Sequence, residues 1–280
     1  MTWLITGAGG MLGTDLAARL GGDAVALTRA GLDLCDPAAV RAALRRHRPA
    51  TVVNCAAWTA VDAAETDEGA ALAVNGTAVG TLAAACAEAG ATLVQISTDY
   101  VFDGRGDRPY PEDAPTSPVN AYGRTKLAGE RAAAGAGGPC FIVRTAWLYG
   151  AHGPNFVRTM TRLAAERDTV SVVDDQIGQP TWTGDLADRI IALAGSGAPP
   201  GVYHGTAAGR TTWYGLAREI FTLLGLDPDR VRPVTSAEFT RPAPRPAYSV
   251  LGHDRWAEAG LKPMRDWRDA LHAAWPSLRP

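Results

Sequence analysis

Short apolar segments alternate with longer amphipathic ones through the first half of the chain. The segments that are apolar on both faces, and that we therefore interpret as strands, cover residues 3–6, 24–28, 51–57, 92–98 and 140–145. Helical periodicity occupies the stretches between and after them, at 12–20, 37–47, 62–89 and 121–134. Strands that are buried on both faces and alternate with helices form a parallel sheet covered on both sides. The pattern therefore predicts an α/β fold.

The second half of the chain is less regular. Its pattern predicts strands at 170–175 and 201–206, helices at 183–195 and 213–224, and two short helices near Asp254 and Asp266. A proline-rich stretch at 232–251 breaks both periodicities and predicts a loop packed against other parts. We predict a Rossmann-type doubly wound parallel sheet over 1–150, with returning segments around 175–205. A smaller, mixed α/β substrate domain follows over 151–280.

Composition and charge exclude several classes of protein. The 280 residues are 46% hydrophobic and 20% charged, with a formal net charge of −2 and scattered basic residues. A globular core is therefore expected, and a nucleic-acid partner is not. The four cysteines form no C-x-x-C pair, which is typical of thiols in a reducing cytosol rather than of disulfides or a metal site. We see no apolar run of the ~18 residues that a membrane span needs, and expect a cytoplasmic protein without a membrane partner.

Three glycines follow the first strand and open the first helix. Gly7, Gly10 and Gly13 have the spacing G-x-x-G-x-x-G. Glycine permits positive φ and lets the backbone approach a pyrophosphate, which then rests on the helix N-terminus. A purely structural turn could use the same residues, but their position on the first βα turn favours dinucleotide binding. The spacing also resembles that of the extended short-chain dehydrogenases.

The end of the second strand bears on the choice between NADPH and NADH. Thr28 and Arg29 stand where an acidic residue would accept a hydrogen bond from a free ribose 2′-hydroxyl, whereas arginine pairs with a 2′-phosphate. NADPH is therefore the predicted cofactor and NADH the alternative, although Arg29 could also be a solvated surface arginine. Asp33 fits two roles, one near the cap of the next helix and one beside the adenine.

Tyr122 and Lys126 are four residues apart on a predicted helix, so both side chains can face one bound molecule. Lys126 is one of only two lysines among 27 basic residues. Tyrosine, with an ordinary pKa of ~10, exchanges protons poorly at neutral pH, and a nearby ammonium lowers that pKa. A compact ammonium can also donate to a ribose hydroxyl, for which a guanidinium has the wrong shape. The same spacing occurs by chance on exposed helices.

Ser97 and Thr98 end the fourth predicted strand, at the edge where open α/β sheets place their ligands. A hydroxyl at this edge can bind a substrate carbonyl or alcohol and hold it near Tyr122. For Ser97 we favour a buried capping role.

Several segments together resemble the dTDP-4-dehydrorhamnose reductase family of the extended short-chain dehydrogenases. They are GAGGMLG, NCAAWTAVDAAE, ISTDYVFDG, SPVNAYGRTKLAGE, RTAWLYG, NFVRTM and VVDDQIGQPT. The resemblance runs nearly end to end and is strongest from residue 1 to about 190.

The resemblance implies a catalytic set of Thr98, Tyr122 and Lys126. Tyr122 would protonate the C4 oxygen as hydride arrives, Lys126 would hold the nicotinamide ribose and depress the tyrosine pKa, and Thr98 would orient the substrate. Substrate contacts are implied at Thr98, Asp99 and Trp147, although Trp147 could equally be a core residue. The implied cofactor contacts are Gly7, Gly10, Met11, Leu12, Gly13, Arg29, Asp33, Leu34, Ala57, Trp58, Thr59, Tyr122 and Lys126.

The implied activity is the NADPH-dependent reduction of the C4 ketone of a dTDP-4-keto-6-deoxyhexose, foremost to dTDP-L-rhamnose. An alternative is a reductase for another dTDP-4-ketosugar, such as a dTDP-dihydrostreptose synthase. An alternative of another class is a non-catalytic regulatory subunit with this fold, against which the intact catalytic set counts. No metal site is predicted, and a homodimer stays open. For the nucleotide part, the C-terminal candidates are Asn155, Arg158, Gln176 and Pro180, which helix caps and solvated charges explain equally well.

Overall fold

The structure, a computed structural model, describes residues 2–279. Its strands, in chain order, are β1 (Trp3–Thr6), β2 (Ala24–Leu27), β3 (Thr51–Asn54), β4 (Thr92–Thr98), β5 (Cys140–Thr145), β6 (Leu148–Tyr149), β7 (Val170–Val173), β8 (Ile177–Gly178), β9 (Thr181–Trp182), β10 (Gly201–His204), β11 (Thr211–Thr212) and β12 (Val231–Val234). Its helices are α1 (Met11–Leu20), α2 (Pro37–His47), α3 (Val61–Thr66), α4 (Glu68–Leu72), α5 (Ala78–Ala89), α6 (Ala121–Ala134), α7 (Phe156–Glu166), α8 (Thr183–Gly195), α9 (Trp213–Leu223), α10 (Asp254–Glu258) and α11 (Trp267–Leu278).

Six strands form one parallel sheet in the order β10-β5-β4-β3-β1-β2. The chain moves outward from β1 in one direction to β2 and then returns to build the other side from β3. The carboxyl ends of β1 and β3 therefore border a topological switch point, which is where open α/β sheets bind ligands. The predicted fold class, a doubly wound parallel sheet of Rossmann type, is confirmed.

Helices cover both faces of this sheet, which explains why β1, β3 and β5 are buried along their whole length. On one face α2 and α5 pack against the sheet through a core that includes Leu4, Leu44, Val52, Leu82 and Leu93. On the other face α1 and α8 do so through a second core that includes Ile5, Leu16, Val53, Leu186 and Ile190. Strands with apolar residues on both sides fit only such a layered arrangement.

A third core lies outside the large sheet. It joins α7, α9 and α11 to the parallel pair β7–β12, and it includes Met160, Val172, Phe221, Trp267 and Leu271. The segments α8 and β10 lie in the layers of the first sheet, as does Trp256 of α10. The smaller part of the molecule is thus built from α7, β7, α9, β12 and α11.

The helical stretch predicted over 62–89 is divided in the structure. Asp67 separates α3 from α4 and caps the latter through Ala70, and a π-helical turn, Ala73–Thr77, precedes α5. The stretch Glu68–Ala89 is long and apolar enough to cross a membrane by length and composition, and half of its apolar window is buried inside the molecule. Our expectation that no stretch reaches that length was wrong, because this core helix does.

Four predicted strands end earlier than expected, at Leu27, Asn54, Val173 and His204. Three of them, all but the strand that ends at Val173, leave the large sheet at its carboxyl edge, where open α/β sheets place their ligands. The proline-rich stretch is strand only at its start, in β12, as far as Val234. Its later part packs against the large domain, where Asn120 Nδ2 donates to Pro244 O over 2.9 Å.

Candidate active site

The glycine loop between β1 and α1 has the geometry of a phosphate cradle. Gly7 has φ of +66°, and a Cβ placed there would lie 2.5 Å from the backbone nitrogen of Ala56. A Cβ on Gly13 would lie 2.5 Å from Gly7 O. At Gly10 helix α1 begins without a side-chain cap, so its first N–H groups are left for an incoming anion. The loop therefore fits the pyrophosphate of a dinucleotide.

Next to this loop lies a cavity of about 520 Å³, which we call the first cavity. Thr98, Tyr122 and Lys126 all line it, together with Asp99 and Trp147. Among the predicted cofactor contacts, its lining includes Gly10, Met11, Leu12, Gly13, Ala57 and Thr59. Residues from the ends of β1, β3, β4 and β5 and from α6 thus converge on one space.

Tyr122 is a half-buried residue of α6 that lines the first cavity. Burial raises the pKa of this phenol, the Asp99 carboxylate raises it further, and a hydrogen bond with the Thr98 hydroxyl opposes them. The Lys126 ammonium is not among the groups that shift it. Burial and Asp99 therefore dominate the pKa of Tyr122 in this structure, and the expected depression of that pKa by Lys126 stays a prediction. A phenol that stays protonated suits a proton donor.

Lys126 is buried beneath the cavity, only 4% exposed, and its Nζ donates to Ile96 O over 2.5 Å. Burial lowers the pKa of this ammonium to about 8, and the carboxylate of Glu130 opposes the shift. Glu130 is itself held in a buried ion pair, in which Arg144 donates to both carboxylate oxygens over 2.9 and 2.8 Å. The Ser97 hydroxyl also donates to Glu130, over 2.5 Å. Ser97 is therefore buried, as expected, but its hydroxyl binds the Glu130 carboxylate instead of the capping role that we favoured.

Asp99 lies directly after Thr98, at the start of a short 3₁₀ turn, and is 2% exposed. Burial raises the pKa of its carboxyl to about 6, although hydrogen bonds from Ser249 and Thr98 oppose the shift. Its Oδ2 atom has no hydrogen-bond partner. A buried carboxylate oxygen that lines the first cavity and lacks a partner can accept a hydrogen bond from a bound ligand.

Asn75, in the π-helical turn, ties the site together from below. Its Oδ1 accepts from Trp58 N over 2.8 Å, and its Nδ2 donates to Trp58 O and to Thr125 Oγ1. The loop after β3 and the helix α6 are therefore held at a fixed distance. Trp58 and Tyr122 both pack against a small core of Ala64, Ala71 and Ala121, and Trp58 is not part of the lining of the first cavity. π-helical turns are frequent at functional sites.

Trp147 has an unusual backbone conformation for a tryptophan, with φ of +47°. Its indole stacks on that of Trp213 at a centroid distance of 3.6 Å and an interplanar angle of 8°. A Cβ on Gly178 would lie 2.5 Å from the Trp147 ring, so glycine there makes room for it. A strained, half-buried aromatic residue in a cavity wall favours a ligand contact over a core role.

A second cavity, of about 690 Å³, meets the first, and Tyr100 and Trp213 line both. The second cavity carries three arginines, Arg167, Arg241 and Arg245, and it includes Gln176. Gln176 Oε1 accepts from the Trp213 indole over 3.2 Å. The two cavities therefore adjoin at these two residues, and the second, with three arginines and Asp62, is the more basic of the two.

Several predicted residues lie outside these linings. Arg29 and Asp33 are exposed beyond β2, where Asp33 Oδ1 accepts from Cys35 N over 2.9 Å. Leu34 is buried in the first core, so its side chain serves packing. Gly7 shapes the loop from beneath and Pro180 lies away from both cavities. For the adenosine end, these cofactor assignments stay predictions.

Two of the C-terminal candidates have structural roles. Asn155 Oδ1 caps α7 at Arg158 N over 3.1 Å, while its Nδ2 donates to Gly150 O. The Arg158 guanidinium donates to Ala151 O over 2.6 Å. Both fix the loop over 150–155 rather than line a cavity.

Sequence reasoning missed Thr145, Trp213, Asn75 and Glu130. Thr145 could have been found by placing the end of the fifth strand beside the end of the fourth. Glu130 could have been found by adding one more helical turn to the spacing of Tyr122 and Lys126. Trp213 and Asn75 depend on folding over long distances in the chain, and no local pattern marks them. Across residues 2–279, no group of three or more His, Cys, Asp or Glu side chains is arranged to hold a metal ion.

Comparisons with known proteins agree with this geometry. A family described as "RmlD substrate binding domain" matches residues 1–279. A dTDP-4-dehydrorhamnose reductase of Streptomyces griseus is 58% identical over 284 residues, which are 99% of this chain and 93% of that protein. A dTDP-4-keto-6-deoxy-D-glucose reductase of Streptomyces niveus is 58% identical, covering 99% of this chain and 97% of that one. The crystal structure of a Bacillus anthracis dTDP-4-dehydrorhamnose reductase in complex with NADP has a TM-score of 0.95 at 37% identity, with 99% of each chain covered.

Proposed function

This chain belongs to the RmlD family, that of the dTDP-4-dehydrorhamnose reductases, and we propose that it reduces the C4 ketone of a dTDP-4-keto-6-deoxyhexose with NADPH. The observation that carries the proposal is the convergence of Thr98, Tyr122 and Lys126 on one cavity beside the glycine loop. We assign the proton transfer to α6 and the binding of the cofactor to the loop between β1 and α1.

NADPH, when bound, supplies the hydride for the ketone carbon. The glycine loop and the N-terminus of α1 would hold its pyrophosphate, and Lys126 its nicotinamide ribose. Arg29, exposed at the end of β2, would pair with the 2′-phosphate and favour NADPH over NADH. These assignments rest on hydrogen-bond donors of the chain itself, which fit the phosphates and the ribose of NADPH.

The remaining residues serve the substrate oxygen. As negative charge develops on O4, Tyr122 donates its phenolic proton to that oxygen, so that ketone, hydride and proton together give the alcohol. Thr98 and Asp99 orient the sugar, and Trp147 covers it. Lys126 lines the same cavity, from which it would hold the nicotinamide ribose beside Tyr122.

The nucleotide part of the substrate fits the second cavity. A dTDP group carries two phosphates, and the three arginines of that cavity supply the charge-assisted donors that a diphosphate requires. The apolar lining residues Phe156, Met160 and Phe239 offer a surface for a base. The sugar then extends past Trp213 into the first cavity.

A coupled experiment tests the activity. Purified protein receives dTDP-4-dehydro-L-rhamnose or dTDP-4-keto-6-deoxy-D-glucose, with NADPH or NADH, and loss of reduced-nicotinamide absorbance is followed while NMR identifies the sugar product. We expect dTDP-L-rhamnose with NADPH. The relative of Streptomyces niveus favours testing the second sugar, because its name specifies that substrate.

The Tyr122→Phe variant separates an enzyme from a regulatory subunit. We expect it to bind NADPH like the wild type and to lose about 10²- to 10⁴-fold in turnover. Turnover equal to that of the wild type would refute the role of Tyr122. Binding of NADPH without turnover of any dTDP-4-ketosugar by the wild type would favour a non-catalytic subunit.

We further infer a cytoplasmic location, supported by cysteines that are all free. A homodimer is proposed for test by light scattering of the purified protein.

A further inference from the structure

The hydroxyl of Thr145, at the carboxyl end of β5, is buried and has no hydrogen-bond partner. Six side chains within residues 2–279 have such a buried, unpartnered polar atom, and of these Asp99 and Thr145 line the first cavity. Asp99 was already assigned to the substrate. Thr145 has no role in the mechanism described above, although it shares the cavity with Tyr122 and Lys126.

The strand register places Thr145 directly beside Thr98. The two residues are paired across the parallel strands β4 and β5. Register partners point their side chains to the same face of a sheet, so the two hydroxyls lie next to each other at its carboxyl edge. The Thr98 hydroxyl has partners, since it donates to Asp99 Oδ1 over 3.0 Å and accepts from Tyr100 N over 3.2 Å. Thr145 is 5% exposed and has none.

A buried hydroxyl without a partner destabilises the folded protein, because it loses its hydrogen bonds to water and gains none. Valine would have nearly the same shape as threonine, suits a strand at least as well and carries no such cost. A hydroxyl that is unpaired at a ligand-binding edge is therefore explained best by a partner that arrives with the ligand.

We propose that Thr145 is a ligand-binding residue, whose hydroxyl hydrogen-bonds a polar group of the molecules bound at the reaction centre. This inference rests on the proposed function, since a reduction brings two such groups to the first cavity. They are the carboxamide of the nicotinamide and a hydroxyl or the carbonyl of the sugar. Both offer a donor or acceptor to a hydroxyl, which can act as either.

The test uses Thr145→Val, which removes only the hydroxyl, and Thr145→Ser, which retains it. Thr183→Val is the matched control: Thr183 is also buried, but its hydroxyl donates to Tyr149 O over 3.1 Å and it is outside the lining of the first cavity. Each variant is measured by thermal unfolding without ligand, by calorimetric titration with NADPH, and by the KM for the dTDP-4-ketosugar at saturating NADPH.

We expect Thr145→Val to unfold at the wild-type temperature or above it, and Thr183→Val to unfold below it. Thr145→Val should weaken one ligand by about 5- to 100-fold, the range for an unmet buried hydrogen bond, and Thr145→Ser should bind nearly as the wild type does. A raised dissociation constant for NADPH identifies the nicotinamide as the partner, and a raised KM alone identifies the sugar.

Two results would overturn the proposal. One is wild-type affinity of Thr145→Val for both ligands; the other is a loss of thermal stability equal to that of Thr183→Val, which would reveal a structural partner. Failure of the proposed function looks different, because the wild type itself would then turn over no dTDP-4-ketosugar, whereas calorimetry with NADPH would still report on Thr145.

Discussion

Burial shifts the pKa values of Tyr122 and Lys126 in opposite directions, because it disfavours the charged form of each. The phenol therefore remains protonated above its ordinary range, while the ammonium has its pKa lowered to about 8. At neutral pH the site holds both protons, which is the state that a reductase needs before hydride transfer. Glu130, one turn further along α6, supports the charged lysine.

The first prediction concerns the dependence of activity on pH. Since Lys126 loses its proton as pH rises through about 8, kcat/KM for the ketosugar should fall tenfold per pH unit above that value. Tyr122 does not cause this fall in kcat/KM, because its pKa is raised. In Lys126→Arg, which stays charged, the residual activity should be lower but should not fall in this range. If kcat/KM of Lys126→Arg still fell above that pH, another group would be the one that titrates.

The second prediction concerns Asp99, whose pKa is raised to about 6 by burial. The pKa of this carboxyl is about 4 in the unfolded chain and about 6 in the folded protein. Between pH 4 and pH 6 the folded protein therefore binds more protons at this site, and the contribution of Asp99 to stability falls as pH rises through that range. At about pH 8, Asp99→Asn should therefore have a higher free energy of unfolding than the wild type, by up to about 3 kcal/mol. At about pH 4 we expect no such gain.

The measurement is thermal unfolding of both proteins at the two pH values, with the KM for the ketosugar determined alongside. We expect KM to rise, since the variant loses the carboxylate that faces the substrate. A stability difference that is the same at both pH values would mean that the Asp99 carboxyl does not titrate differently in the folded protein.

Helix α6 carries the proposed catalytic pair, Tyr122 and Lys126, and approaches its neighbours through glycine. A Cβ on Gly129 would lie 2.1 Å from Asn75 O, and one on Gly123 would lie 2.1 Å from Tyr100 O. The helix is thereby fixed against the π-helical turn on one side and against the 3₁₀ turn that follows β4 on the other. Close backbone contact at both points sets the position of Tyr122 and Lys126 in the cavity.

The third prediction follows from this contact. Gly129→Ala should lower the free energy of unfolding by about 1–3 kcal/mol, because the backbone of Asn75 cannot yield as a side chain could. It should also lower kcat/KM, since α6 is displaced. Gly195→Ala is the control: Gly195 ends α8, and a Cβ there meets nothing within 4 Å. That variant should be as stable as the wild type or gain up to about 1 kcal/mol. Urea unfolding curves of both variants measure these changes. Equal stability of Gly129→Ala and Gly195→Ala would contradict the close contact of Gly129 with Asn75.

Periodicity in the sequence predicts most elements of this size and few short ones, although it missed the helix α7, Phe156–Glu166. The bounds of α6 and β5 were predicted to the residue, because both are long and end at clear signals. The two-residue strands β6, β8, β9 and β11 were missed, since no period can be read from two residues. Within the site, Tyr122 and Lys126 share a helix, so their spacing predicts their common direction. Thr145 becomes a candidate only through its register with Thr98, and the pKa of Tyr122 depends on burial that no motif encodes.

At the scale of the whole molecule, the proline-rich stretch connects the basic cavity to the large sheet. Asp62, in α3, accepts from Ala243 N over 3.2 Å and from the Arg245 guanidinium over 3.0 Å, and Arg241 lies 3.8 Å from its other oxygen. Both arginines line the second cavity. A single carboxylate from α3 thus orients two of the three arginines that we assign to the diphosphate.

The fourth prediction is that Asp62→Asn weakens the binding of the substrate without changing the binding of the cofactor. The ion pairs are partly exposed, so their loss should cost at most about 1 kcal/mol of stability. The KM for the dTDP-4-ketosugar should nevertheless rise, because the arginines lose their orientation, while the affinity for NADPH stays unchanged. Limited proteolysis should cut the stretch over 235–247 faster in the variant than in the wild type, since one of its anchors is lost. If NADPH affinity fell in parallel with the rise in KM, Asp62 would act on the whole fold rather than on the basic cavity, and the two ends of the site could not be treated as separately held.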